Sequence, residues 1–231
     1  MLLAIDTSGP YCSAALWSLK QDICLVQQSE NLGRGHAERL MPMLEELLAK
    51  QNAKWTDIKK LAVVIGPGSF TGLRVGIATA RGLALALGVP CAGVTVFEAF
   101  AHFHYTSEIN NEPLLVAMDA KRNQIWLQAF DAKCQPQTEP VGVEVESLAE
   151  HIEGSVTCTI GSAAKQIAHA SGRDIIIIND SPSPPVTAVA AIGAAAGPDN
   201  ISPSPLYLRA PDAKPQKIQN QRHSNVSQKT R

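Results

Sequence analysis

A short apolar run ending in aspartate occurs twice in this chain, and its recurrence restricts the possible folds more than any other feature. Leu2-Leu3-Ala4-Ile5-Asp6 opens the chain, and Leu115-Val116-Ala117-Met118-Asp119 repeats the pattern far downstream. Each run is followed by a second apolar stretch, Ala14 to Trp17 and Ile125 to Phe130, and the two pairs read as β-hairpins. Later in each half comes an apolar strand ending in glycine, Leu61 to Gly66 and Val156 to Gly161. Then Val94-Thr95-Val96 and Val186-Thr187-Ala188 each lead into an alanine-rich segment. Three echoes in one order indicate an internal duplication. The units are far longer than solenoid repeats, so the sequence predicts an α/β chain of two lobes, each a mixed sheet with helices against it. The predicted division is an N-terminal lobe over 1–105, a C-terminal lobe over 106–210 and a polar, basic tail over 211–231 with no fold of its own. Phe103 to Asn111 reads as a polar linker between the lobes.

Two helices stand out in the first lobe. From His36 to Lys50, Leu40, Met43, Leu44, Leu47 and Leu48 recur at helical spacing, with Glu38, Arg39, Glu45, Glu46 and Lys50 polar between them. Pro42 lies inside this helix and removes one backbone donor. A second helix starts near Ser69 or Thr71, either able to cap it, and runs to about Leu87 before Gly88 and Pro90. Along it Gly72, Gly76, Ala80 and Ala84 fall four apart, a row of small residues on one side. Interior helix glycine costs on the order of 1 kcal/mol relative to alanine, so two of them imply close approach of another backbone. The row faces either the lobe's own sheet or another helix.

Composition excludes several classes. Twenty Lys and Arg against twenty-one Asp and Glu in 231 residues give a formal charge of −1, so no global basic field points to nucleic acid. The five cysteines, Cys12, Cys24, Cys91, Cys134 and Cys158, form no CxxC pair and read as reduced residues of a cytoplasmic protein. The apolar opening has no basic flank and reads as a strand rather than a leader; neither secretion nor membrane insertion is expected.

The richest motif is Gly66-Pro67-Gly68-Ser69-Phe70-Thr71-Gly72, between a buried strand and a helix. Its amides could cradle an anion, and Asp6, Thr7, Gly66, Gly68 and Ser69 are the candidate nucleotide or anion residues. The motif lacks the Lys-Ser/Thr pair of a Walker loop, the third glycine of the dinucleotide fingerprint and the spacing of a nucleophile elbow. The competing reading is a tight strand-to-helix turn. Asp6 and Asp119 likewise read either as catalytic acids or as turn-formers that bond their own following amides. His102 and His104, separated by one residue, share a face only on a strand and lack a third ligand at suitable spacing.

At these residues the chain resembles a known family. Leu3 to Ser8, Gly35-His36-Ala37-Glu38-Arg39-Leu40-Met41-Pro42, Gly66 to Arg74, Gly93-Val94 through Glu98-Ala99 and the closing Pro205-Leu206-Tyr207-Leu208-Arg209 are similar to motifs of the TsaB (YeaZ) family. The resemblance implies a duplicated ribonuclease-H-like fold of the actin/Hsp70/sugar-kinase (ASKHA) class. It implies a non-catalytic subunit that supports a catalytic relative, TsaD, together with the ATPase TsaE. The reaction is threonylcarbamoyl transfer to adenosine 37 of tRNAs that read codons beginning with adenine. The alternative is an ASKHA-type ATP-binding or hydrolytic enzyme in its own right. TsaD-like sequences carry a His-x-x-x-His metal pair where this chain has Val96 and Phe100, so no metal or cofactor is expected here. The resemblance also implies pairing with TsaD, or with a second copy when TsaD is absent, through the first two helices. The implied interface comprises His36, Arg39, Leu40 and Met43 on the first helix. Phe70, Gly72, Leu73, Gly76, Ile77, Ala80 and Ala84 supply it on the second. Contact with tRNA is expected only indirectly or through the tail.

Overall fold

The computed structural model of the protein describes residues 1–107, 112–197 and 203–209. The first half comprises β1 (Leu2–Asp6), β2 (Tyr11–Ser18), β3 (Ile23–Asn31), α1 (His36–Lys50), β4 (Lys60–Gly66), α2 (Phe70–Leu87), β5 (Cys91–Thr95) and α3 (Val96–Thr106). The second comprises β6 (Leu114–Lys121), β7 (Gln124–Phe130), β8 (Val141–Glu144), β9 (Cys158–Ile160), α4 (Ala164–Ser171), β10 (Ile176–Asn179) and α5 (Val186–Ala195).

The strand order is β3-β2-β1-β4-β5 in one sheet and β8-β7-β6-β9-β10 in the other, so each strand has its counterpart at the same place. In both sheets an antiparallel three-stranded meander is joined to two parallel strands. The duplication is therefore real, and the fold is the two-lobed ribonuclease-H-like class. Asp6 sits opposite Ser13, and Asp119 opposite Ile125, at the same point of the two hairpins.

Alternation along the strands sends side chains to two cores. Leu3 and Ile5 of β1 pack with Leu40, Met43, Leu44 and Leu47 of α1 and with Leu73, Ile77 and Ala80 of α2. Leu2 and Ala4 point the other way, into a cluster shared with Phe97 and Phe100 of α3, Val189 and Ala190 of α5, and Leu114 and Val116 of β6. A third cluster under the outer face of β6 and β7 includes Leu148 and Ile167. The layers thus run α1/α2, first sheet, α3/α5, second sheet, α4.

Helix α5 belongs to the second half of the chain but packs on β1, β2 and β4 of the first sheet. A Cβ on Gly193 would lie 2.3 Å from the Ala62 Cβ, so glycine permits the contact. Lys60 Nζ donates to Ala194 O at 3.2 Å and Ala196 O at 2.5 Å, satisfying carbonyls at the end of α5. The expected cut at 105/106 falls in the connection between the sheets, yet the halves share one helical layer.

The expected linker is corrected at its start, because α3 runs on to Thr106. Thr95 Oγ1 accepts from Glu98 N at 3.0 Å and Glu98 Oε2 accepts from Thr95 N at 2.7 Å, a capping box. His104 on this helix is fully buried, with Nε2 3.6 Å from Cys158 Sγ. Because His102 and His104 lie on a helix, two positions apart, they do not share a face. Residues 108–111, the rest of the expected linker, lie outside the described residues, as do His223 and the whole 211–231 tail.

Candidate functional site

A cleft of about 400 Å³ lies between the halves where β1, β4 and β6 end. Its walls include Ser8, Gly68 and Ser69 on one side and Asp119, Lys121 and Trp126 on the other. Both hairpin acids make the same turn. Asp6 Oδ1 accepts from Ser8 N at 2.8 Å and Ser8 Oγ at 2.7 Å; Asp119 Oδ1 accepts from Lys121 N at 2.8 Å. Each thus bonds the amide two residues on, the turn-forming role.

The two acids differ in setting. Asp6 is fully buried, and desolvation raises its carboxyl above the usual range against the opposing Ser8 bonds and His36. Its Oδ2 is buried with no hydrogen-bond partner. For Asp119 burial is outweighed by Lys121, whose amide and Nζ hold the carboxyl below the usual range, the Nζ–Oδ2 distance being 2.7 Å. Thr7 is 2% exposed and donates Oγ1 to Gly72 O at 2.7 Å. Gly66 is buried, with φ +124° and the Leu206 carbonyl 2.6 Å from where a Cβ would stand. The Gly66–Pro67 peptide is cis. Of the five expected anion residues, only Gly68 and Ser69 line the cleft, and Ser69 Oγ already accepts from Gly72 N at 3.2 Å as the α2 cap. Their arrangement is that of a tight strand-to-helix turn.

Burial of Asp6 sets the sign of a pH test. A native pKa above the unfolded one means the folded protein binds more protons in the window upward from about 3.9, so Asp6 lowers stability as pH rises through its raised value. Asp6→Asn keeps an acceptor for Ser8 and removes this titration. Urea unfolding should show the variant gaining on the parent between pH 4 and 7; a variant that loses ground as pH rises would contradict the burial of a charged form.

The structure divides the expected helix interface into two faces. Leu40, Met43, Leu73 and Ala80 are at most 1% exposed, and Ile77 is also buried, all against the first sheet. Gly72 and Gly76 lie on Thr7: an added Cβ would be 2.0 Å from Thr7 O and 2.4 Å from Thr7 Oγ1, respectively. In the isolated chain Gly72, Gly76 and Ala80 of the small-residue row therefore pack on the chain's own sheet, and Leu40, Met43, Leu73 and Ile77 lie in the core beside them. His36 is buried with Nε2 3.2 Å from Tyr11 O. Arg39 binds Glu30 at 2.6 Å and Glu46 at 2.7 Å; these bonds hold both carboxyls down to about 2 and tie α1 to β3. Phe70 stacks at 5.1 Å on Tyr207, and Ala84 is half-buried.

Besides Thr71 and Arg74 near its start, α2 leaves a different set outside, Ala78, Arg81, Gly82, Leu85 and Ala86. Leu85 is 86% exposed, and nothing lies within 4 Å of a Cβ added to Gly82. On neighbouring α1, Met41 is 37% exposed. The sequence signal that would have found this face is Ala78-Gly82 with Leu85, a second small-residue line on the opposite side of the helix from the first. By length and composition α2 could cross a bilayer, but it carries Arg74 and Arg81 and commits one face to the sheet.

Val96 and Phe100 occupy the first turns of α3 and are buried at 1% and 0% exposure in the shared core. Neither side chain can ligate a metal. Among the described residues, no group of three or more His, Cys, Asp or Glu is placed to hold one.

A family model described as "TsaD: tRNA N6-adenosine threonylcarbamoyltransferase" matches residues 28–194. The Escherichia coli (strain K12) tRNA threonylcarbamoyladenosine biosynthesis protein TsaB is 37% identical over 125 residues, covering 54% of this chain and 52% of that protein. The chain thus spans about half the length of this TsaB relative. An uncharacterized protein of Mycobacterium tuberculosis (strain ATCC 25618 / H37Rv) is 32% identical over 215 residues, 93% of this chain and 94% of that one. A Pseudomonas aeruginosa crystal structure, an uncharacterized protein with similarity to peptidase YEAZ, superposes with a TM-score of 0.77 at 25% identity, covering 90% of this chain and 99% of that one. The duplicated topology and these matches agree, and the chain belongs to the family that the TsaD model describes and, within it, to the TsaB (YeaZ) proteins.

Proposed function

We propose that this chain works in the cytoplasm as a non-catalytic subunit in the synthesis of threonylcarbamoyladenosine at position 37 of tRNAs reading codons that begin with adenine. It engages a TsaD-like catalytic chain, served by a TsaE-like ATPase, through the outer sides of α1 and α2. A second copy takes the same face when that partner is absent. The observation that carries this reading is the pairing of an exposed apolar face on α2 with an Asp6 buried away from the cleft and an Asp119 turned onto Lys121. Apolar surface of this kind, beside Met41, suits a partner helix. Asp6 is buried and Asp119 is held by Lys121, so neither is free to hold a metal-bound phosphate or activate water. Val96 and Phe100 supply core packing where a TsaD-like enzyme has its ligands. The pathway itself rests on the TsaB-named relatives.

Reconstitution tests it. With unmodified tRNA, ATP, a source of the threonylcarbamoyl group and the TsaD-like and TsaE-like proteins, modification should fall to background when this chain is omitted. Full modification without it would exclude the subunit role, and modification by this chain without the TsaD-like protein would make it an enzyme.

A further inference from the structure

The segment Leu206 to Arg209 ties the two halves together at the mouth of the cleft. On the first half, Leu206 N donates to Ile65 O at 2.7 Å, prolonging the end of β4. Its carbonyl lies against Gly66, whose positive φ and lack of a Cβ admit the contact. Tyr207 stacks on Phe70, the Arg74 guanidinium lies 3.8 Å over the Phe70 ring, and Arg74 Nε donates to Tyr207 Oη at 3.3 Å.

On the second half, Arg209 takes hold of the β6–β7 hairpin. Its Nε donates to Gln124 Oε1 at 2.9 Å, Nη1 to Ala120 O at 3.2 Å and Nη2 to Lys121 O at 3.1 Å, with Nη2 also bonded to Gln124 Oε1. The hairpin turns through Lys121, Arg122 and Asn123 at φ 61°, 53° and 64°, a left-handed region that side-chain-bearing residues seldom enter. A guanidinium fork matches such converging acceptors better than an ammonium does. Ala120 and Lys121 form one wall of the cleft, while Pro67 and Gly68, next to Gly66, form the other.

We propose that residues 206–209 are a latch across the cleft mouth and that Arg209, as a positioning residue, sets the separation of the two lobes. At the base the lobes already share α3 and α5. Rotation about that layer is the soft motion expected of a two-lobed chain, and a hold at the opposite edge suppresses it.

Two nitroxides attached through non-natural amino acids at the exposed positions Glu45 and Glu150 avoid the five native cysteines and report the interlobe distance by pulsed electron resonance. In the full chain the parent should give one narrow distribution. Arg209→Ala should broaden it and shift it to longer distance, and Gln124→Ala, which leaves the two backbone acceptors, should broaden it less. Far-UV circular dichroism checks that both variants are folded. An unchanged distribution in the folded variants overturns the latch. If Arg209→Ala does not fold, Gln124→Ala alone decides, and a parent-like distribution in that variant overturns the proposal equally.

Discussion

Gly76→Leu is expected to remove the cooperative folded state or to lower its melting temperature by roughly 10 °C or more. The first side-chain carbon would already stand 2.4 Å from Thr7 Oγ1 and 3.6 Å from Val63 Cγ2. Thr7 cannot turn aside cheaply, because its hydroxyl is bonded to Gly72 O and its own carbonyl underlies Gly72. Relief requires α2 to lift from the sheet, which loosens Leu73, Ile77 and Ala80 together. Overpacking alone typically costs about 1–3 kcal/mol, and loss of that packing adds to it. Against a total stability of about 5–15 kcal/mol, with about 2–4 °C per kcal/mol at this size, the effect is large. The control is Gly82→Leu on the opposite side of the helix, where nothing lies within 4 Å of the added carbon. There the exchange should stabilise by up to about 1 kcal/mol through helix propensity. Thermal and urea melts of the pair decide the matter: a parent-like melt for Gly76→Leu would mean that α2 does not sit on Thr7.

Charging the outer face should do the reverse. Ala78→Glu combined with Leu85→Glu places two acids on a surface that is exposed in the isolated chain, so its melting temperature should stay within a degree or two of the parent. Binding to the TsaD-like protein, read by calorimetry, should weaken about 100-fold or more, since a carboxylate buried without a partner costs several kcal/mol. Self-association of the isolated chain, read by sedimentation, should weaken in parallel. Undiminished affinity in the folded variant would remove α2 from the proposed interface. One helix thus offers two independent experiments, one on each side.

The legible part of the sequence was that governed by burial. The duplicated apolar-run-then-aspartate hairpins announce the paired sheets because a strand covered on both faces must be apolar, as β1 and β6 are up to Asp6 and Asp119. Strands β3, β8 and β10 escaped notice for the converse reason. Each lies at a sheet edge with much of its surface exposed, so polar residues interrupt β3 and β8 freely, and the Ile176-Ile177 run carries no alternation. The His36 start of α1 is readable from the helical spacing of its apolar residues, and the cap of α2 is narrowed to Ser69 or Thr71, of which the structure uses Ser69. The direction of the small-residue row was not, since spacing alone locates a face without saying what covers it. For the same reason Asp6 carried two readings until its depth and its bond to Ser8 were known. The start of the expected linker reads as polar because of His104 and Tyr105, while the helix buries His104 against Cys158.

The placement of α5 carries a consequence for the order in which the protein is made. The first sheet is complete once β5 has left the ribosome, but its inner face, covered in part by α3, lacks the cover of α5 until Val189 and Ala190 arrive some hundred residues later. At about 5–20 residues per second that interval lasts several seconds, during which Leu2, Ala4, Ala62 and Val64 lack the part of their cover that α5 supplies. A nascent chain stalled in this interval is a natural client for a holding chaperone, and a fragment expressed as residues 1–105 should aggregate rather than report on the first lobe.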